Sequence, residues 1–182
     1  MNDIINQISV DIVLPNYNSS PYIEETLNSI IHQSFKNWNL LIVDDNSDDK
    51  TKYILKKYDS NNKIKIIWLK KNKGAGFCRN LAIRNSKSQY IAFIDSDDIW
   101  EKEKLSKQLT FMKENQYYFT YTNYCSFKSD KEKNNFKNIK PPKHFTFKKF
   151  IHDTSIATST MILKRPIIGS IKFTKTKICE DY

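Results

Sequence analysis

The first hundred residues alternate short apolar runs with amphipathic stretches, a pattern that commits the chain to βαβ units and a mainly parallel sheet. Val10 to Leu14 reads as a buried strand, broken by Pro15-Asn16-Tyr17-Asn18. A helix then follows with Ser20 as N-cap, Pro21 in the first helical position and Glu24 and Glu25 in the first turns, and its apolar stripe is Ile23, Leu27, Ile30 and Ile31. Trp38 to Val43 is the second strand; Asp44-Asp45-Asn46-Ser47 leads from it into a helix reaching about Tyr58, whose Ile54, Leu55 and Tyr58 can face the sheet. Ile64 to Leu69 is the third strand. Lys70 to Gly74 links it to a helix from about Ala75 to Asn85, and Tyr90 to Ile94, wholly apolar, is the fourth strand and ends at Asp95.

Beyond Trp100 the pattern loosens. Glu101 to Asn115 is an amphipathic helix with Leu105, Leu109 and Met112 on one side, and Tyr117 to Tyr124 is a β-prone aromatic segment. Ser126 to Lys143, rich in Lys, Asp and Asn and closing on Pro141-Pro142, is expected to be a poorly ordered loop because it offers little to bury. Thr158 to Leu163 is expected to be the last strand. The aromatic residues from Phe111 to Phe127 are read first as core.

With 182 residues, 39% of them hydrophobic, the chain can bury one core, and a single domain over 1–182 is expected. The cysteines Cys78, Cys125 and Cys179 stand far apart, without the spacing of a zinc site or disulfide framework, and His32, His144 and His152 are equally scattered. No secretory leader is read at the amino terminus and no run approaches the roughly 18 apolar residues of a membrane span. A cytoplasmic protein, peripheral at most to the inner face of the membrane, is expected. Residues 1–100 carry 13 Lys and Arg against 12 Asp and Glu, whereas residues 101–182 carry 17 against 8, so nearly all of the net charge of +10 belongs to the second half. That excess suits a peripheral contact with anionic membrane, or simply a solvated loop, and since its residues form no compact motif, nucleic acid is not the expected partner.

In an open parallel sheet, ligands bind beyond the carboxyl ends of the strands, where this chain places its acids. Pro15 to Asn18 follows the first strand, Asp44 and Asp45 the second, and Asp95 to Asp98 the fourth. Carboxylates gathered in one crevice repel one another unless a cation offsets them, and an all-oxygen donor set suits Mn²⁺ or Mg²⁺, either of which can bridge a carboxylate to a diphosphate. Taken singly, each acid cluster is equally a polar turn that caps the next helix.

In order along the chain, Val13-Leu14-Pro15-Asn16-Tyr17-Asn18, Gln33-Ser34-Phe35, Leu41-Ile42-Val43-Asp44-Asp45-Asn46-Ser47, Asn72-Lys73-Gly74 with Ala75, Arg79 and Asn80, and the block from Tyr90 to Asp98 resemble the family 2 glycosyltransferases, inverting enzymes of the GT-A fold. The resemblance implies a three-layer α/β/α, Rossmann-like fold with a mainly parallel central sheet. It implies that Pro15 and Tyr17 flank a nucleotide base, with Tyr17 stacking on it, and that Asp45 bonds the base edge while Asp44 supports the turn. It places Asp95 at the ribose or the metal shell and makes Asp97, with Asp98 as rival, the metal ligand. Gly74 lets backbone approach the nucleotide, and Arg79 is directed at phosphate or donor sugar. The donor implied is a nucleoside diphosphate sugar, with UDP favoured, and the acceptor a glycan or a lipid-linked sugar in surface polysaccharide synthesis.

The family also carries a catalytic acid in a Glu-Asp pair, which here is Glu180-Asp181, so Asp181 is the candidate base that removes the acceptor's proton. Relatives continue beyond this pair. Residues 1–100 are therefore expected to be the nucleotide-sugar half and 101–182 the incomplete start of the acceptor side, and a binding module without turnover is the alternative.

Overall fold

A computed structural model describes residues 8–126, 136–144, 155–169 and 172–173. Its main sheet has six strands in the order β3-β2-β1-β4-β8-β5. β1 (Val10–Asn16) pairs in parallel with β2 (Trp38–Asp44) on one side and β4 (Tyr90–Phe93) on the other, and β2 pairs in parallel with β3 (Ile64–Trp68). β8 (Ile162–Lys164) runs antiparallel to β4, and β5 (Phe119–Thr120) antiparallel to β8. Successive strands step outward from β1 to β3, then the chain returns to the other side of β1. The carboxyl ends of β1 and β4 therefore flank the point where strand order reverses, which is where an α/β sheet opens a ligand crevice.

Side chains alternate across each strand, and that alternation builds a core on each face. Ile12, Leu14, Leu40, Ile42, Ala92 and Ile94 meet Ile23, Leu27 and Ile30 of α1 (Ile23–Ile31), Leu55 of α2 (Thr51–Lys56) and Leu105, Leu109 and Met112 of α4 (Lys104–Glu114). Val13, Leu41, Val43, Ile91 and Phe93 point the other way, onto Cys78 and Ala82 of α3 (Ala75–Asn85). This is the expected α/β/α sandwich.

Local starts differ from the sequence reading. α1 begins at Ile23 and not at Ser20-Pro21, because the Ser19 carbonyl accepts from both the Tyr22 and Ile23 amides while the Ser20 amide donates to Asp49 Oδ2. α2 begins at Thr51, since Ser47 is occupied by Asp44 and Asn16. The segment read as one strand from Tyr117 to Tyr124 splits into β5 and β6 (Tyr124–Ser126). The expected loop 126–143 contains β7 (Lys137–Ile139), whose backbone pairs with β6 in a separate two-stranded sheet that needs no apolar face. Thr158–Thr160 is a 3₁₀ turn, and of the expected last strand, 158–163, only Ile162 and Leu163 lie in β8, which runs on to Lys164.

Candidate functional site

The β1 and β2 ends are sewn together around Asp44. Its fully buried carboxylate accepts from Asn16 Nδ2 at 2.8 Å, from the Ser47 amide at 3.0 Å and from Ser47 Oγ at 2.6 Å. Asn18 completes the clamp by exchanging hydrogen bonds with Asp48, its side chain donating to Oδ1 at 2.6 Å and accepting from the Asp48 amide at 2.9 Å. Asn18 and Asn46 both have positive φ, 47° and 65°, a conformation asparagine tolerates better than most residues. The turn leaves Tyr17, 48% exposed, at the rim of a crevice.

Asp45 is 3% exposed and faces the next strand's exit. Its Oδ1 accepts from the Lys73 amide and its Oδ2 from the Gly74 amide, each at 2.7 Å. Gly74, the residue before α3, has φ 88° and ψ 157°, which L side chains scarcely adopt. The glycine is thus required by its backbone as well as by any close approach of ligand. Asp45 anchors the loop before α3, while each of its oxygens retains a second lone-pair direction.

Arg79, on α3, turns to protein. Its Nη2 donates to Asp95 Oδ1 at 2.7 Å, with Arg79 6% and Asp95 33% exposed, and its guanidinium lies 5.3 Å from the Phe173 ring centroid. The sequence reading directed Arg79 at phosphate or donor sugar; the structure gives it a bond to the first acid of the 95–98 block. That block is held from several sides. Thr26 Oγ1 on α1 donates to the Ser96 carbonyl at 3.0 Å, the Asp95 amide donates to Ser159 Oγ at 2.9 Å, and Ser159 Oγ donates to Asp98 Oδ2. Burial of the Asp98 carboxyl, opposed by the Ser159 hydroxyl and reinforced by the charges of Asp95 and Asp97, pushes its pKa up to about 6 even though the residue's remaining surface is open to solvent. Asp97 is exposed, and among the described residues its carboxylate has no hydrogen bond or ion pair.

These elements enclose a cavity of about 230 Å³. Of the residues singled out from sequence, Pro15, Tyr17, Asp45, Arg79, Asp95 and Asp97 line it. Gly74 sits immediately before the lining residue Ala75, Asp98 turns away to Ser159, and Asp181 lies outside the described residues. Asn16, Cys78 and Ser96 also line the cavity, and Ser159 supports it from behind. Sequence reasoning passed over Cys78 and Ser159: one lies inside an apolar helix face and the other inside a segment read as a strand. A larger hollow of about 480 Å³ lies at the amino ends of β1 and β4, beside Tyr90, Lys113, Tyr118 and Lys164, but no carboxylate lines it.

Among the described residues, no three acidic, His or Cys side chains are grouped as a metal cage. The residues fit a cation of another type, since Mg²⁺ and Mn²⁺ are commonly held by one or two carboxylates together with substrate phosphates. An exposed, unbonded Asp97 beside Asp95 in an open cavity supplies that oxygen set. None of the helices among the described residues is long and apolar enough to cross a membrane.

The model of glycosyl transferase family 2 matches residues 11–171. The chain belongs to glycosyl transferase family 2. It is 36% identical over 173 residues to TuaG of Bacillus subtilis (strain 168), a glycosyltransferase named for teichuronic acid biosynthesis, covering 94% of this chain and 68% of TuaG. It is 32% identical over 164 residues to WfgD of Escherichia coli, named a UDP-Glc:α-D-GlcNAc-diphosphoundecaprenol β-1,3-glucosyltransferase, covering 90% of this chain and 63% of WfgD. The crystal structure of Staphylococcus aureus TarS in complex with UDP superposes with a TM-score of 0.72 at 26% identity, over 96% of this chain and 53% of that one. The family 2 chain thus spans about two thirds of these curated relatives and about half of the solved TarS chain. Its fold is that of the GT-A enzymes.

Proposed function

We propose that this family 2 chain binds a UDP-sugar with Mn²⁺ or Mg²⁺ and transfers the sugar, with inversion, to a glycan or lipid-linked acceptor. One observation carries the reading: Tyr17, Asp45, Asp95 and Asp97, which come from three strand ends, line a single cavity at the reversal of strand order. The TarS chains solved with UDP and with UDP-GlcNAc, each at 26% identity and a TM-score of 0.72, support the donor class. The name of WfgD, which specifies a diphosphoundecaprenol-linked acceptor, supports the acceptor class.

In this reading the exposed Tyr17 ring stacks on the uracil, Asp45 accepts from the base edge while holding the loop before α3, and Asp95, fixed by Arg79, meets the ribose. Asp97 holds the cation, which supplies positive charge to the departing diphosphate. Asp98 is a support and not a ligand. As the acceptor oxygen bonds to the anomeric carbon from the face opposite the diphosphate, the bond to the diphosphate breaks with its electron pair and Asp181 takes the acceptor's proton. Residues 1–100 form the nucleotide half and 101–182 begin the acceptor side. The 17 Lys and Arg against 8 Asp and Glu in that second half bring it to anionic lipid at the inner face of the membrane, where such acceptors are presented.

Calorimetric titration with UDP, with and without Mn²⁺, tests the donor site. We expect binding that tightens with Mn²⁺, loss of the Mn²⁺ effect in Asp97→Ala, and weaker binding with or without metal in Asp45→Ala. Binding indifferent to Mn²⁺ in the native chain overturns the reading.

A further inference from the structure

The block Asp95-Ser96-Asp97-Asp98 leaves β4 as a turn in which consecutive carboxylates take different environments. Asp95 is bonded to Arg79, Asp98 is bonded to Ser159, and Asp97 alone faces the cavity without a bond to protein among the described residues. A turn of this composition has no intrinsic reason to turn its third residue into the cavity and its fourth away from it. All its carboxylates repel, and the turn's single internal backbone bond, Asp98 amide to Asp95 carbonyl, is long at 3.2 Å. Something outside the turn must select the arrangement.

Ser159 is the group that spans it. Its hydroxyl accepts the Asp95 amide at 2.9 Å and donates to Asp98 Oδ2, so one oxygen atom ties the first residue of the block to the last. The residue is itself immobilised: it is 7% exposed, lies in the 3₁₀ turn before β8, and its carbonyl accepts from Trp100 Nε1 at 2.8 Å. Trp100 in turn is buried, and its amide donates to Ser29 Oγ on α1 at 3.2 Å. Ser159 is therefore a fixed post, 64 residues along the chain from the Asp95 amide it receives.

We propose that Ser159 is a positioning residue of the donor site, whose hydroxyl sets the turn that withdraws Asp98 and presents Asp97 to the cation and diphosphate. This rests on the donor-site reading above. Ser159 touches neither nucleotide nor cation; it acts through Asp95 and Asp98. Supporting residues of this sort commonly change metal affinity by about 10- to 100-fold when removed.

The test uses the full chain. Amide hydrogen exchange without ligand reports the turn directly, because Ser159 Oγ is the acceptor for the Asp95 amide. Ser159→Ala should speed exchange at Asp95 and Asp98, and should weaken Mn²⁺-dependent UDP affinity about tenfold while weakening metal-free UDP affinity by a clearly smaller factor, since of the nucleotide contacts only Asp95 is tied to Ser159 and Tyr17 and Asp45 lie on other loops. Ser159→Thr, which retains the hydroxyl, should restore both. Asp98→Asn keeps an acceptor for Ser159 and should retain most of the Mn²⁺ effect, which separates positioning from a general loss of folding if the Ser159 variants are unstable. Exchange and Mn²⁺-dependent affinity both unchanged in Ser159→Ala, or loss of the Mn²⁺ effect in Asp98→Asn as complete as in Asp97→Asn, overturn the assignment. A native chain that lacks Mn²⁺-dependent UDP binding overturns the donor-site reading instead, and the two failures are told apart because exchange at Asp95 would still follow the Ser159 hydroxyl.

Discussion

Arg79 Nη2 and Asp95 Oδ1 stand 2.7 Å apart, the arginine almost wholly buried and the aspartate one third exposed at the cavity. Removing one member of a well-buried pair strands the other, whereas removing both does not. With Asp95 partly screened by solvent, Arg79→Met should cost about 1–3 kcal/mol in urea unfolding, and Arg79→Met with Asp95→Asn should cost less than Arg79→Met alone. The same denaturation curves should show that Asp95→Asn by itself is the milder single change.

Gly74→Ala should be harmful out of proportion to its added methyl group. At φ 88° and ψ 157° an alanine is strained by about 1–3 kcal/mol, and relief of that strain would move the amide that Asp45 Oδ2 receives at 2.7 Å. A lowered melting temperature together with weakened UDP binding is expected. Asp45→Ala should show the same pairing of effects, as it removes the other end of the bond.

Lys104 inverts the usual habit of lysine. Part of its stem reaches solvent, yet Nζ is buried without a hydrogen-bond partner among the described residues, 3.9 Å from the centroid of the Trp100 ring. Burial holds the ammonium well below the ordinary lysine pKa of 10.5. The unfolded chain then binds this proton more tightly than the folded one, so stability should rise as pH climbs from the lowered folded value towards 10.5. Lys104→Met should be neutral or stabilising by about 1–2 kcal/mol at pH 7 and should flatten that rise, as measured by urea unfolding across pH 7 to about 10.

Asp11 should govern part of the acid limb. Its burial would raise the carboxyl, but bonds from the Ser88 amide and hydroxyl, Asn39 Nδ2 and the Lys87 amide outweigh burial and hold it below the usual 3.8. A lowered folded value means that the stability Asp11 contributes is complete above 3.8 and is lost as pH falls through that lowered value. Asp11→Ala, which strands several buried donors, should cost about 1–3 kcal/mol at pH 7 and shift less than the native chain on acidification. Circular dichroism melts from pH 7 down to about 2.5 would show the two curves converging.

Strand placement was legible because short, continuous apolar runs bounded by turn residues leave few alternatives to strands buried on both faces, whereas the division of Val13 from Leu14 or Phe93 from Ile94 between opposite cores is seen in the structure. The acids at the strand ends were legible for the same reason: they interrupt apolar runs. Which groups each acid bonds was not. Asp44 and Asp45 are adjacent and identical in kind, yet one takes Asn16, 28 residues back, and its neighbour Ser47, while the other takes the Lys73 and Gly74 amides 28 and 29 residues on and keeps room for a further donor. Arg79 read as a cation for phosphate or donor sugar, and its ion pair with Asp95, 16 residues on, was not legible from spacing. Ser159 carried no signal, since a serine between two threonines has no periodicity to betray it. The β6–β7 pairing was hidden by composition: backbone pairing and one side-chain bond, Cys125 Sγ to Asn138 Oδ1, hold it, and a run of polar residues does not announce either.

β8 comes from the far end of the chain but pairs with β4, residue against residue from Tyr90 opposite Lys164 to Ala92 opposite Ile162. If residues 1–100 and 101–182 are the donor and acceptor halves proposed above, the frontier between them is a seam inside the sheet and not a point along the sequence. A fragment ended near residue 100 would bare the edge of β4, with Ile91 and Phe93 uncovered, and invite intermolecular strand pairing. Exchanging acceptor halves among relatives has the same geometry to respect. A graft that joins foreign sequence after Trp100 replaces Ser159, the post on which the acid turn is hung, so a chimaera would keep one parent's 95–98 block and take from the other the group that sets its shape.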